Sequence, residues 1–395
     1  MRFYRVKIRH LPLTSSRAGF TLIELLVGSS IMLIIILGAL SLYIRSNRIS
    51  VDQNQLTELQ HDVRSSMFFI ARDIRSTGVG ASAEIGGYFL EGKDDFSPTS
   101  EASDSIKIMG NFDRPLRLRI RQYQEGTEGS PNIVSLYDSE LENSPYDCPD
   151  YYENKIYLVI STKCPGCFAF RFVPNDSVLG CGTGKAQLVF EPGISELDPP
   201  GSLIDTGCGA DCWDDGIITI GQIKQYWLDA TGNPGDYPEL DLSRGEDGYL
   251  GIPNVLYLTT TNQVGEIIHM PIATNIENLQ FQYRGDLDND GFLDEFVDWD
   301  NANWTVNPTD NEAAKQTKLE IISRIRQVKI WILGKTSDPF VSVSGPPPSN
   351  LHLYRRPAIA NSPQGNQIDL RRRFLLETTA SIRNLSLNIY NTGTR

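Results

Sequence analysis

The sequence predicts an α+β protein: a long N-terminal α-helix, transmembrane in its first half, packed on an antiparallel β-sheet body with a loop-rich, cysteine-containing insert. Three observations lead there. Residues 20–44 form an apolar run whose only charge is Glu24. That run passes into a helical apolar stripe ending near residue 74. Beyond Gly80, alternating strand patterns sit among many of the chain's 33 glycines and 22 prolines, the residues of turns.

The first 19 residues are polar and basic, with Arg2, Arg5, Lys7, Arg9 and Arg17 and no acid. The 25 residues from Phe20 to Ile44 then make a helix of ~37 Å, enough to cross a hydrocarbon core of about 30 Å. The basic flank keeps the N-terminus cytoplasmic and places the body outside the inner membrane, in the periplasm. A secretory signal is cut after its apolar run, at small residues. Here the run ends in Leu42-Tyr43-Ile44-Arg45, a poor site of that kind, which leaves an uncleaved anchor as the plain alternative.

Past the run, Ile49, Leu56, Leu59, Val63, Met67, Ile70 and Ile74 recur at helical spacing, with Asp52, Glu58, Asp62, Arg64, Arg72 and Asp73 mostly off the stripe. Residues 45–80 therefore read as an amphipathic extension, stopped by Gly78 and Gly80. A helix from Phe20 to about Thr77 is ~87 Å long, more than one domain of this size can bury. Its first half belongs to a membrane, and its second half packs on the body.

Residues 81–395 read as the β-rich body. Within it, 122–253 is less periodic and rich in Gly, Pro and Asp, and it holds all six cysteines: Cys148, Cys164, Cys167, Cys181, Cys208 and Cys212. An even, clustered set in an exported chain reads as up to three disulfides, with fifteen pairings open. A zinc site is the rival, since Cys164 and Cys167 have ligand spacing and Cys208 with Cys212 completes four ligands. Strand patterns are clearest at 278–283, 327–330 and 380–385, and a Pro346-Pro347-Pro348 loop separates the last two.

Asp286-Leu287-Asp288-Asn289-Asp290-Gly291-Phe292-Leu293-Asp294 has the alternating carboxylates and turn glycine of a calcium loop. The expected ligands are Asp286, Asp288, Asp290, Asp294 and the backbone carbonyl of Phe292. The twelfth position is Val297, not the usual bidentate Glu, so Glu295 or Asp298 has to stand in. Seven acids between Asp286 and Asp300 repel one another unless a cation sits among them. The bland alternative is a solvated acidic turn. Structural Ca2+ is the one cofactor expected.

Gly19-Phe20-Thr21-Leu22-Ile23-Glu24-Leu25-Leu26-Val27 resembles the class III signal of type IV pilins and type II secretion pseudopilins. The resemblance implies that 1–19 is a leader cut after Gly19 by prepilin peptidase, that Phe20 is N-methylated, and that Glu24 is the assembly carboxylate. A carboxylate in a membrane span costs about 2.5–3.5 kcal/mol, which gives Glu24 a reason to seek the N-terminal amine of a neighbouring subunit. Arg72-Asp73-Ile74-Arg75, 276–283, 326–333 and 371–384 resemble PilW-type minor pilins, and the resemblance is weak across 90–255.

Formal net charge is −13, and loss of the five leader cations takes it to −18, which repels nucleic acid. His10, His61, His269 and His352 have no metal-ligand spacing, and no nucleophile elbow, P-loop or dinucleotide fingerprint occurs, so no enzyme is expected. The resemblance implies a minor pilin that initiates or caps a type IV pilus and ends at the cell surface. The alternatives are a minor pseudopilin of type II secretion and a tip adhesin working through the insert. Its partners are then other pilins, prepilin peptidase, the inner-membrane assembly machinery and lipid. Gly19→Ala leaves the chain full-length and unmethylated in the membrane fraction; N-terminal sequence beginning at Phe20 in that variant contradicts the reading.

Overall fold

The computed structural model describes residues 20–78, 89–97, 102–112, 117–124, 132–137, 153, 155–163, 168–173, 176–180, 186–190, 210–240, 242, 249–261, 267–307, 310–337, 354–365 and 368–382. Helix α1 runs from Leu22 to Arg75. Its part up to Asn54 belongs to one compact unit and the rest of the chain to another. In the first unit the apolar side chains of 22–44 are exposed, and α1 is long and apolar enough there to cross a membrane.

In the second unit the predicted stripe becomes a buried face. Leu59, Val63, Met67, Ile70 and Ile74 are each 5% exposed or less, while Phe68 and Phe69 on the other side stay exposed. The helix ends where Gly78 adopts φ 75, a backbone conformation that suits glycine, and the Gly78 N–H donates to Met109 O at 2.9 Å.

The strands in chain order are β1 (Leu90–Lys93), β2 (Ser105–Gly110), β3 (Leu118–Gln124), β4 (Asn132–Leu136), β5 (Lys155–Ile160), β6 (Phe168–Val173), β7 (Val178–Leu179), β8 (Gln187–Phe190), β9 (Ile217–Ile220) and β10 (Gln222–Asp229). They continue with β11 (Val255–Thr261), β12 (Ile267–Ala273), β13 (Ile276–Gly285), β14 (Ile325–Lys335), β15 (Tyr354–Arg355), β16 (Ile368–Asp369) and β17 (Arg373–Ser381); helix α2 (Glu312–Ser323) precedes β14. The larger sheets have the orders β1-β2-β10-β11-β12, β13-β14-β17 and β6-β5-β9-β3-β4-β8-β7, with antiparallel pairs throughout.

The first two sheets and the stripe of α1 share one core, in which Leu59, Val63 and Ile70 cluster with Ile106, Leu256, Leu279 and Ile330. Gly334 on β14 admits the helix closely: a Cβ there would lie 2.6 Å from Leu59 Cδ1 and 2.9 Å from Val63 Cγ2. The three expected C-terminal strands pair as β13-β14-β17, with the last one beginning earlier than its pattern suggested, and the described residues end at Ile382. Residues 338–350, including the proline run, lie outside the described residues.

The 122–253 segment, expected as a loop-rich insert or a small subdomain, has regular strands among its described residues. It carries β4 to β9 of the seven-stranded sheet, and β10 inside it belongs to the first sheet, between β2 and β11. Its weak periodicity has a cause. On β5, Tyr157 and Val159 face a second core with Leu118, Val134 and Phe190, while Leu158 and Ile160 join the first core. A strand buried on both faces reads as a continuous apolar run, without alternation.

A buried charge fixes the helix on the first sheet. Asp73 is 2% exposed on α1. Its Oδ2 accepts from Lys224 Nζ at 2.8 Å and from Tyr226 OH at 2.7 Å, and its Oδ1 accepts from Arg72 Nε at 2.9 Å. Lys224 and Tyr226 are two apart on β10 and so share a face. Burial, and then the Asp73 charge, push the Tyr226 phenol far above its usual range, so it stays a donor. Asp73→Ala leaves the Lys224 ammonium buried without its anion, a loss of about 3–5 kcal/mol. Denaturant unfolding of the chain in detergent measures it; a variant as stable as wild type contradicts the anchoring role.

Candidate functional site

Two sites predicted from sequence fall on described residues, one in each unit. The first is the start of α1. Phe20 is 86% exposed, and Gly19 lies outside the described residues. Thr21 and Glu24 close a reciprocal cap: the Thr21 N–H and Oγ1–H donate to Glu24 Oε2 at 3.0 and 2.9 Å, and the Glu24 N–H donates to Thr21 Oγ1 at 3.3 Å. This S/T-x-x-E arrangement satisfies amides that the first helical turn leaves orphaned. Sequence reasoning missed Thr21 as the partner of Glu24, although the capping-box spacing was visible.

The second is the acidic loop after β13. The ligand oxygens of Asp286, Asp288 and Asp290 all lie within 4.8 Å of one another. Left-handed turns at Asn289 (φ 64) and Gly291 (φ 88) fold the loop back on itself. Its own amides then hold the carboxylates: Gly291 N donates to Asp286 Oδ2 at 3.1 Å, Asp290 N to Asp288 Oδ1 at 3.2 Å, and Phe292 N to Asp290 Oδ1 at 2.8 Å. Asp286 Oδ1 is buried and accepts no hydrogen bond, an arrangement that fits an oxygen reserved for a cation.

The remaining expected ligands are placed differently. Asp294 is not in the convergent group: its Oδ2 accepts from Leu287 N at 2.7 Å, and its backbone carbonyl from Arg284 Nε at 2.7 Å. Val297 bridges Tyr283 backbone to backbone, and Asp298 accepts from Gln282 Nε2 at 2.9 Å, so Asp298 serves β13. Arg326, which sequence reasoning missed, lies within electrostatic reach of Asp286. Burial lowers its pKa and the Asp286 charge opposes that. It spends Nη1 on the carbonyls of Ser323 and Ile325, at 2.7 and 3.1 Å. Arg326 therefore offsets part of the loop's charge without forming an ion pair with it.

Cys212 is the one cysteine among the described residues, and it is disulfide-bonded. Cys148, Cys164, Cys167, Cys181 and Cys208 lie outside the described residues.

Residues 14–40 match the family model of the prokaryotic N-terminal methylation motif. A type IV-like pilin from Thermus thermophilus superposes with 11% identity and a TM-score of 0.29, covering 83% of this chain and 97% of that one, a likeness too loose to carry an argument. No curated protein matches the chain by sequence. The matched motif spans the Gly19–Phe20 junction and the Thr21–Glu24 cap, and the helix that follows fits membrane anchoring before assembly. What the comparisons give this chain is a prokaryotic N-terminal methylation motif that leads into an apolar helix.

Proposed function

We propose that the chain is a minor pilin that helps to initiate or cap a type IV pilus, resembling the PilW type. The observation that carries this reading is the N-terminal methylation motif at residues 14–40, running into a single helix, Leu22–Arg75, whose first part is apolar and whose last part is built into a β-sheet body. In this account prepilin peptidase cuts after Gly19 and methylates Phe20. The helix then waits in the inner membrane with the body in the periplasm. Thr21 holds the Glu24 carboxylate until the amine of a subunit in the filament replaces it. That exchange of one partner for a charged one favours leaving the lipid.

The same reading gives the 286–294 loop a structural Ca2+, held by Asp286, Asp288 and Asp290. It also takes the six cysteines as disulfide partners suited to an oxidising compartment. A bound ion screens the mutual repulsion of the carboxylates and fixes the turn that leaves β13.

Two experiments test this. Deletion of the gene abolishes surface pili counted by electron microscopy, and the intact gene restores them. Normal pili in the deletion strain contradict the initiating role, and a secretion defect there assigns the chain to type II secretion instead. Separately, chelator-stripped full-length protein in detergent gains about 2.7 kcal/mol at Ca2+ 100-fold above Kd, read as a rise in Tm. Asp288→Ala loses the gain that belongs to this loop, and an identical rise in that variant removes the loop from the account.

A further inference from the structure

A second set of carboxylates gathers just after β1 and just before β2. Asp94, Asp95 and Asp104 bring one oxygen each within 4.8 Å of one another. Oxygens bound to one Ca2+ at 2.3–2.6 Å are at most about 5.2 Å apart, so the three fit around a single ion. Among the described residues no lysine, arginine or histidine forms an ion pair with any of them.

Asp94 and Asp104 are held in place by neighbours from distant parts of the chain. Asp104 is 3% exposed; its Oδ2 accepts from Phe281 N on β13 at 2.8 Å and its Oδ1 from Asp95 N at 3.3 Å. Asp94 Oδ1 accepts from Asn361 Nδ2 at 2.6 Å. Asn301 grips the Asp94 backbone from both sides, accepting from its N–H at 3.1 Å and donating to its carbonyl at 2.9 Å. Asp95 is exposed to solvent.

A separate group points to a ligand here. Tyr283, two residues beyond Phe281 on the same face of β13, is 1% exposed, and its hydroxyl has no hydrogen-bond partner. The hydroxyl lies against Gly92, two residues before Asp94, where any side chain would collide with it. Asp104 is the charged group that acts on it most strongly, followed by Asp94 and Asp298. A buried hydroxyl left unpaired costs about 1–3 kcal/mol, and a water in the shell of a neighbouring cation removes that cost by donating to it.

We propose that Asp94, Asp95 and Asp104 bind a hard divalent cation, Ca2+ by preference, with a water of its shell bonded to Tyr283. The ligands are all oxygen, and one of them, Asp95, is exposed to solvent, which suits the flexible, partly hydrated coordination of Ca2+ better than a thiolate-seeking metal. The ion clamps the β1–β2 turn to β13 and, through Asn301, to the far end of the segment that begins with the 286–294 loop. It does not depend on that loop binding anything.

The test is calorimetric titration of chelator-stripped full-length protein in detergent with Ca2+, repeated with Tb3+ whose luminescence is excited through tryptophan and tyrosine. Asp95→Asn is the variant, because Asn tolerates the positive φ of 55 at that position and the side chain is exposed. The expected result is an ion present in wild type and in Asp288→Asn, and weakened at least tenfold in Asp95→Asn, whose Tm in chelator matches wild type. An ion lost in Asp288→Asn alone overturns this site and leaves the loop standing. A wild-type chain that binds neither Ca2+ nor Tb3+ overturns both.

Discussion

One buried carboxylate decides how the end of α1 lies on the body. An apolar stripe can settle into several neighbouring registers at similar cost, because packing is tolerant of small slides. Asp73 is not tolerant. Its two oxygens meet donors from Arg72, Lys224 and Tyr226, and displacing the helix by one residue strands both an anion and an ammonium. Gly334 works in the same direction, since the close approach it allows to Leu59 and Val63 occurs at one place on β14. Charge gives the register and apolar contact gives the adhesion. The exit at Gly78, tied to Met109, follows from both.

That placement has a functional meaning for a chain with a prepilin signal. The last turns of α1 are built into the body, so a pull or a shift applied to this part of the helix is felt by β10 and β14. The start of α1 has a different chemistry. There Glu24 is capped by Thr21, and among the described residues of its unit both are exposed with no tertiary hydrogen bond. A carboxylate with only a local partner in an apolar run is available for exchange, whereas Asp73 is committed.

Much of this was legible in the sequence, and the rest was hidden for physical reasons. The stripe from Leu59 to Ile74 shows its period openly because one face is buried and the other exposed, and β13 and β14 show theirs because apolar and polar residues alternate along part of each, although Asn278, Gln280 and Trp331 on the second face are buried too. The seven-stranded sheet escaped because strands such as β5 are apolar on both faces and so lack the alternation that marks a half-buried strand. The 286–294 loop announced itself because its acids are close in sequence. Even so, its spacing could not reveal that Asp294 turns to the amide of Leu287 and leaves the convergent group. Asp94 and Asp104 are ten residues apart, on either side of a turn, and only the pairing of Leu90–Lys93 with Ser105–Ile108 brings them together. Nor does any spacing tell that Lys224, two residues before a tyrosine on a strand, is there to receive a helix.

The central claim is that this chain is cut, methylated and built into a filament. Intact-mass spectrometry of the protein recovered from sheared surface filaments addresses it most directly. The account predicts a species lacking residues 1–19 and heavier by one methyl group on Phe20. A chain found only in the membrane fraction, uncut and unmethylated, contradicts it.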